Sequence, residues 1–143
     1  FSTLDERAFQ TYCIWHAADA AGHWVSPPTS QWFDYIQQTP AARAWLVRAG
    51  DGRAVAVVQL DEETNHTGSL MLYVAPGERG RGHGRAILRA LLARPVLGHL
   101  GPIEAGIDPG NVASLRCALA AGFALASPEP DVEGLLKAVH QFR

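Results

Sequence analysis

The sequence predicts a single α/β domain over residues 1–143, and three observations carry that expectation. The hydrophobic pattern switches repeatedly between a helical and a strand period. A Gly-Asp-Gly turn joins two β-rich runs, which is a hairpin signal. A glycine- and arginine-rich segment leads from an apolar strand straight into an amphipathic helix. At 143 residues, with 48% apolar and 18% charged side chains, the chain has the length and composition of one folded domain with a real core, not of a disordered segment.

The elements follow in order. Ser2 or Thr3 is placed to cap a first helix, with Asp5 and Glu6 in its first turn, where the helix dipole favours acid. Leu4, Ala8, Phe9, Tyr12, Cys13 and Ala17 recur there at helical spacing. Gly22, Pro27 and Pro28 break the pattern, and Thr29 or Ser30 caps a shorter helix with Trp32, Phe33 and Ile36 on one face. "AWLVRA" and "RAVAVVQL" form the hairpin around Gly50, Asp51 and Gly52. "SLMLYVAP" is apolar on both faces and is expected at the centre of its sheet. The next helix turns Ile87, Leu88, Leu91 and Leu92 inward and Arg85 and Arg89 outward, and Pro95 closes it. "IEAGI" is a strand, Asn111 caps a ten-residue helix that stops at Gly122, and "LLKAVHQF" reads as a last edge strand.

Composition excludes several classes. Twelve basic against 14 acidic residues give a net charge of -2, which argues against a dedicated nucleic-acid binder. The positive charge is nevertheless concentrated: Arg79, Arg81, Arg85, Arg89 and Arg94 lie within one short segment. Cys13 and Cys117 are too few for a disulfide framework and lack C-x-x-C spacing, so a reducing cytoplasm is the expected location. His16, His23, His66, His83, His99 and His140 show no ligand spacing, so no metal site is expected; neither is a membrane span or a signal peptide. The chain begins at Phe1, so the expectation is a processed start or a piece of something longer.

The segment "GERGRGHGRA" admits three readings. A P-loop needs Gly-Lys-Ser/Thr before the helix, and a dinucleotide fingerprint needs a glycine where Arg85 stands. An RNA-binding Arg-Gly segment would be flanked by more of the same, whereas this one sits between a strand and a helix. An ordered anion nest remains: glycines without β-carbons let successive N–H groups converge at a helix N-terminus whose dipole favours negative charge. A glycine-rich turn serving only as a tight connection is the plainer alternative.

The order strand, Val74, Pro76, then Arg79, Gly80, Arg81, Gly82, His83, Gly84 into a helix resembles the acyl-CoA pyrophosphate loop of the GNAT superfamily of N-acetyltransferases. About thirty residues on, Asn111, Ser114, Gly122 and Phe123 match the family's second motif, an Asn-x-x-Ala/Ser that opens a helix ending in Gly-Phe. The Thr3-Leu4-Asp5-Glu6 start is similar to the family's opening, although the family's first strand is here short or missing. The resemblance implies a mixed, mostly antiparallel twisted sheet flanked by helices, with parallel central strands splayed around acyl-CoA. It implies that the amides from Arg79 to Gly84 hold the pyrophosphate, with Arg79 or Arg81 reaching a phosphate by side chain or standing as solvated charge. Leu72, Tyr73 and Val74 would offer backbone groups to the pantetheine, and Asn111, followed by Ser114, would cap its helix and bond the pantetheine arm.

Acetyl transfer to an amine needs a neutral nucleophile, an oxyanion donor and a departing thiolate. An amine of pKa ~10.4 costs roughly 4.6 kcal/mol to deprotonate near neutral pH, so a base is useful. Where relatives carry a Glu five residues before the Asn, this chain has Gly106; Glu104 shares that face and is the candidate base, with Glu62, Glu63, His66 and Asp108 as alternatives. Where many relatives carry a Tyr acid seven residues after the Asn, this chain has Ala118, leaving Ser114, Cys117 or water to protonate the thiolate. Trp24 and His23, in the segment between the first two helices, are candidate acceptor-binding residues, and His16 lies in the helix that shapes that region. The aromatic residues of the first third otherwise read as core.

The resulting expectation is an N-acetyltransferase with acetyl-CoA as cosubstrate and no metal. Its expected partners are a small-molecule or peptide amine and a second copy of the chain, with no nucleic acid and no membrane. The alternative is a GNAT-like module that binds acyl-CoA as a sensor without transferring it.

Overall fold

The computed structural model describes residues 1–19 and 24–141. The elements are β1 (Ser2–Thr3), α1 (Glu6–Ala18), α2 (Ser30–Gln38), β2 (Ala42–Arg48), β3 (Ala54–Glu62), β4 (Gly68–Val74), α3 (His83–Leu92), β5 (Ile103–Ile107), α4 (Val112–Ala120), β6 (Ala124–Leu125) and β7 (Leu136–His140). The strands form a seven-stranded sheet in the order β1-β2-β3-β4-β5-β7-β6. It is mixed and mostly antiparallel, with β4 and β5 as its parallel pair. The chain divides into two compact units, Phe1–Asp61 with Met71–His83, and Glu62–Leu70 with Gly84–Arg143.

In the first unit, Ser2 and Thr3 pair with Leu46 and Trp45 of β2 instead of capping α1. The cap is Asp5, whose carboxylate accepts from the Ala8 N–H at 2.8 Å. The reason is register: Leu4 is fully buried, and its N–H donates to the Ala44 carbonyl at 3.0 Å, so the chain is still extended there. Thr29 caps α2 as expected, accepting from the Trp32 N–H at 3.1 Å. β2 and β3 form the antiparallel hairpin from Ala42↔Asp61 to Arg48↔Ala54, with an irregularity between Val47 and Arg48. Val55 to Val58 are buried on both faces of β3, and Val57 belongs to a core cluster with Leu4, with Ala8 and Tyr12 of α1, with Ile36 of α2 and with Tyr73 of β4. Phe9 stacks on Phe33 at 4.7 Å, so most of the early aromatics are core.

β4 is central in order, yet Leu70, Met71 and Leu72 are only half-buried, unlike the residues of β3. In the second unit the parallel register of β4 with β5 covers two pairs, Gly68↔Ile103 and Ser69↔Glu104. β5 then pairs with β7 along its full length, Ile103↔His140 to Ile107↔Leu136. β7 is therefore not an edge strand: the two-residue β6 pairs on its other side, where Phe123 tucks in after Gly122 takes a left-handed φ of +99°. The composition of β6 is too short a signal for a strand period. α3 buries Ile87, Leu88 and Leu91 and leaves Arg85 and Arg89 exposed. Among the described residues no helix is long and apolar enough to cross a membrane.

Candidate functional site

The glycine loop is built stepwise. Pro76 starts a single tight turn, Pro76–Glu78, in which the Glu78 N–H donates to the Ala75 carbonyl at 2.9 Å. Arg79 is extended, and Gly80 and Gly82 then adopt φ of +76° and +81°. Side chains rarely tolerate that region, which is why glycine stands at these two positions. Among the described residues the N–H groups of Arg79 to Gly82 find no backbone acceptor, and α3 begins at His83 with the unsatisfied amides of its first turn. The loop thus gathers backbone donors at the positive end of a ten-residue helix.

One carboxylate lies inside this electropositive loop. Glu78 is only 8% exposed. Arg53, from the end of the β2–β3 turn, grips it with Nε at 2.6 Å from Oε1 and Nη2 at 3.0 Å from Oε2, and also pairs with Asp51. Arg81 and His83 each approach Glu78 to 3.6 Å. The Arg53 hydrogen bonds hold the Glu78 carboxyl below the usual carboxylate range, so it stays ionised and neutralised by Arg53. Arg53 and Glu78 escaped the sequence reading; the acid within "GERGRGHG" was the available signal for the second, and nothing in the hairpin turn marks the first.

Of the three β4 residues expected to offer backbone groups, Tyr73 differs from its neighbours. Ala75 donates its N–H to Val55 of β3, and by the strand period Tyr73 turns its peptide groups toward β3 as well. Leu72 and Val74 turn theirs to the opposite edge, where the Val74 carbonyl already accepts from Arg79 Nε at 3.1 Å. The Tyr73 side chain is buried, with its hydroxyl donating to Asp19 at 2.7 Å. Burial first, and the Asp19 carboxylate second, push its pKa up to about 12. Arg79 meets the same carboxylate through two nitrogens, at 2.9 and 2.6 Å. Asp19 was missed because it lies 60 residues from Arg79 in the chain, and no local pattern announces it.

Trp24 is 42% exposed, whereas His23 lies outside the described residues. His16 stacks on Tyr73 at 5.8 Å and donates its Nε2–H to the Val25 carbonyl at 2.8 Å.

The second unit carries the remaining candidates. Gly84 is buried in the first turn of α3. Asn111 caps α4, its Oδ1 accepting from the Ser114 N–H at 3.3 Å, which leaves Nδ2 as a donor for a ligand. Ser114 and Cys117 are half-buried, and Ala118 is 4% exposed, so no bulky side chain could be placed there without repacking. Glu104 is half-buried, 3.7 Å from Lys137 Nζ. The alternatives are otherwise engaged: Glu62 accepts from His99 at 2.9 Å with His66 at 4.0 Å, Glu63 accepts from the Ser69 hydroxyl, and Asp108 closes the turn before Asn111. Among the described residues no group of three or more His, Cys, Asp or Glu side chains could hold a metal ion.

A loop of this form between a central strand and a helix, followed by an Asn-capped helix ending in Gly-Phe, defines a class of protein. A family model described as the Acetyltransferase (GNAT) family matches residues 9–123, and the chain belongs to that family. It is 36% identical over 94 residues, 64% of its own length, to YfmK of Bacillus subtilis (strain 168), described as an uncharacterized N-acetyltransferase, and covers 62% of that relative's length. Among solved structures it is similar to a chimera of the Vibrio cholerae spermidine N-acetyltransferase and hSSAT, with a TM-score of 0.79, 12% identity, and coverage of 98% of this chain and 95% of that one. It is likewise similar to the aminoglycoside acetyltransferase AAC(6')-Ib in complex with coenzyme A, with a TM-score of 0.81, 16% identity, and coverage of 97% and 92%. At these identities the structural likeness concerns the fold.

Proposed function

We propose that this chain is an N-acetyltransferase that uses acetyl-CoA to acetylate a primary amine of a small molecule or peptide. The observation that carries the reading is the loop in which left-handed Gly80 and Gly82 leave a run of N–H groups without backbone acceptors among the described residues, at the start of α3. The donor set suits a pyrophosphate, because backbone amides, a helix dipole and Arg81 combine there while Arg53 neutralises the buried Glu78. Family membership supports it, and the similar structures are named for acetyl transfer to spermidine and to aminoglycosides.

When bound, acetyl-CoA supplies a thioester carbonyl to which a neutral amine adds and from which a thiolate departs. The chain's own part is to position and to move protons. Leu72 and the Val74 N–H would hold the pantetheine along the half-exposed edge of β4; in the second unit Asn111 keeps α4 capped through Oδ1, with Nδ2 left to donate to a ligand. Glu104, whose carboxylate lies 3.7 Å from Lys137 Nζ, takes the proton of the acceptor ammonium. With Ala118 at the position of the usual acid, the departing thiolate collects its proton from water. The test is release of free thiol from acetyl-CoA that depends on an added amine, set beside calorimetric binding of CoA. Tight binding with no release on a broad amine panel would leave a sensor, not a transferase.

A further inference from the structure

We propose that Arg79 is a positioning residue and not a phosphate ligand: with Asp19 and Tyr73 it forms a clamp that fixes the glycine loop in the shape the cosubstrate needs. The inference rests on reading that loop as the pyrophosphate site.

Both oxygens of Asp19 are spent. Oδ1 accepts from Arg79 Nη1 at 2.9 Å, and Oδ2 accepts from Arg79 Nη2 at 2.6 Å and from the Tyr73 hydroxyl at 2.7 Å. The Asp19 side chain is 3% exposed, whereas that of Arg79 is 38% exposed. Arg79 Nε donates to the Val74 carbonyl, and the guanidinium lies 5.2 Å from the centre of the Tyr73 ring. Each of the three guanidinium nitrogens is therefore engaged. Asp19 is also the residue that ends α1, its own N–H donating to the His16 carbonyl at 3.2 Å. A single planar cation thus ties the end of α1 to the end of β4, and does so at the residue immediately before the left-handed Gly80.

The chemistry decides between the two roles. Swinging Arg79 onto a phosphate would break both of its bonds to a nearly buried carboxylate and its bond to the Val74 carbonyl, a loss that a phosphate contact at the surface does not offset. Arg81 has no such tie: it is 59% exposed and only 3.6 Å from a Glu78 already gripped by Arg53. Charge for the anion comes from Arg81 and the amides, and shape comes from Arg79. A two-pronged carboxylate bond with a third bond from Nε is a task for arginine; lysine cannot reproduce it.

The test is calorimetric titration with CoA of the wild-type chain, Asp19→Asn, Arg79→Lys and the double variant. Asp19→Asn keeps the size of the side chain and leaves no buried charge unpaired, and thermal unfolding with and without CoA checks each fold. A clamp predicts that each single change weakens CoA binding about tenfold and that the double change is no worse than the weaker single, since one interaction is removed either way. It also predicts that Asp19→Asn leaves the ionic-strength dependence of binding unchanged, whereas Arg81→Ala reduces it. A phosphate ligand predicts the opposite sign: freeing Arg79 by Asp19→Asn would tighten CoA, and Arg79→Lys would bind nearly as wild type. That result overturns the proposal alone. A wild-type chain that binds no CoA overturns the reading of the loop and the clamp's purpose with it.

Discussion

Substituting Gly82 isolates the backbone contribution to anion binding. Gly82 has φ of +81°, and a β-carbon added there would meet nothing within 4 Å, so the penalty is conformational and not a clash. Holding a side chain in the left-handed region costs about 1–2 kcal/mol, and a β-branched one more. If the loop keeps its shape, Gly82→Ala loses that amount of stability; if it relaxes, the same amount appears as a factor of about 5–30 in CoA affinity. Gly82→Val also places a branched group where amides must approach the phosphate, and its CoA affinity falls by about tenfold or more. Gly77 is the control within the same segment: its φ is ordinary and its surroundings are equally open, so Gly77→Ala is neutral or gains about 0.4–1 kcal/mol. Calorimetry with CoA and thermal unfolding of the three variants make the measurement. A folded Gly82→Val that binds CoA like the wild type, or a Gly77→Ala that loses as much, refutes the reasoning.

Asn111→Ala removes the α4 cap at a cost of about 1 kcal/mol and weakens CoA, while Asn111→Ser restores the stability but not the affinity; full recovery of both in the serine variant would reduce Asn111 to a cap. Glu104→Gln lowers turnover by about a hundredfold or more, whereas Ser114→Ala and Cys117→Ala each cost only a few-fold, well short of the ~10² or more that accompanies loss of a real general acid or base. A hundredfold loss in Cys117→Ala with Glu104→Gln near wild type would move the proton chemistry to α4. The Tyr73 pKa, raised to about 12 in the fold against ~10 when unfolded, makes the unfolded state release its proton first. Its contribution to stability is therefore intact below pH ~10 and lost on going to about 12, and Tyr73→Phe, followed by chemical denaturation across that range, shows a flatter alkaline limb.

Much of the fold was legible because its signals are local. The Gly-Asp-Gly hairpin, the Thr29 and Asn111 caps and the apolar stripe of α3 each declare themselves within a few residues. The misplacements arose where pairing overrides local preference: Ser2 and Thr3 could cap a helix, but β2 recruits them as a strand, and β7 gains a second neighbour from a two-residue β6. The candidate loop was legible for the same reason as the hairpin, since glycines at fixed spacing before an amphipathic helix are a local pattern. What surrounds it was not. The Asp19–Arg79 pair and the Arg53–Glu78 pair join residues far apart in sequence, and each involves charges that read singly as solvated. The geometry of Tyr73, buried by side chain and facing β3 by backbone, follows from a register that sequence spacing alone does not set.

The central claim is amine-dependent transfer of an acetyl group from acetyl-CoA. The most direct measurement incubates the purified chain with acetyl-CoA and a panel of primary amines, including polyamines, aminoglycosides and short peptides, and follows free thiol together with the mass of each acceptor. The account predicts that thiol is released only when an amine is present and that one acceptor gains the mass of an acetyl group mole for mole with the thiol, with both signals strongly reduced in Gly82→Val. Thiol release with no acetylated acceptor, or acetylation undiminished in a folded Gly82→Val, would contradict it.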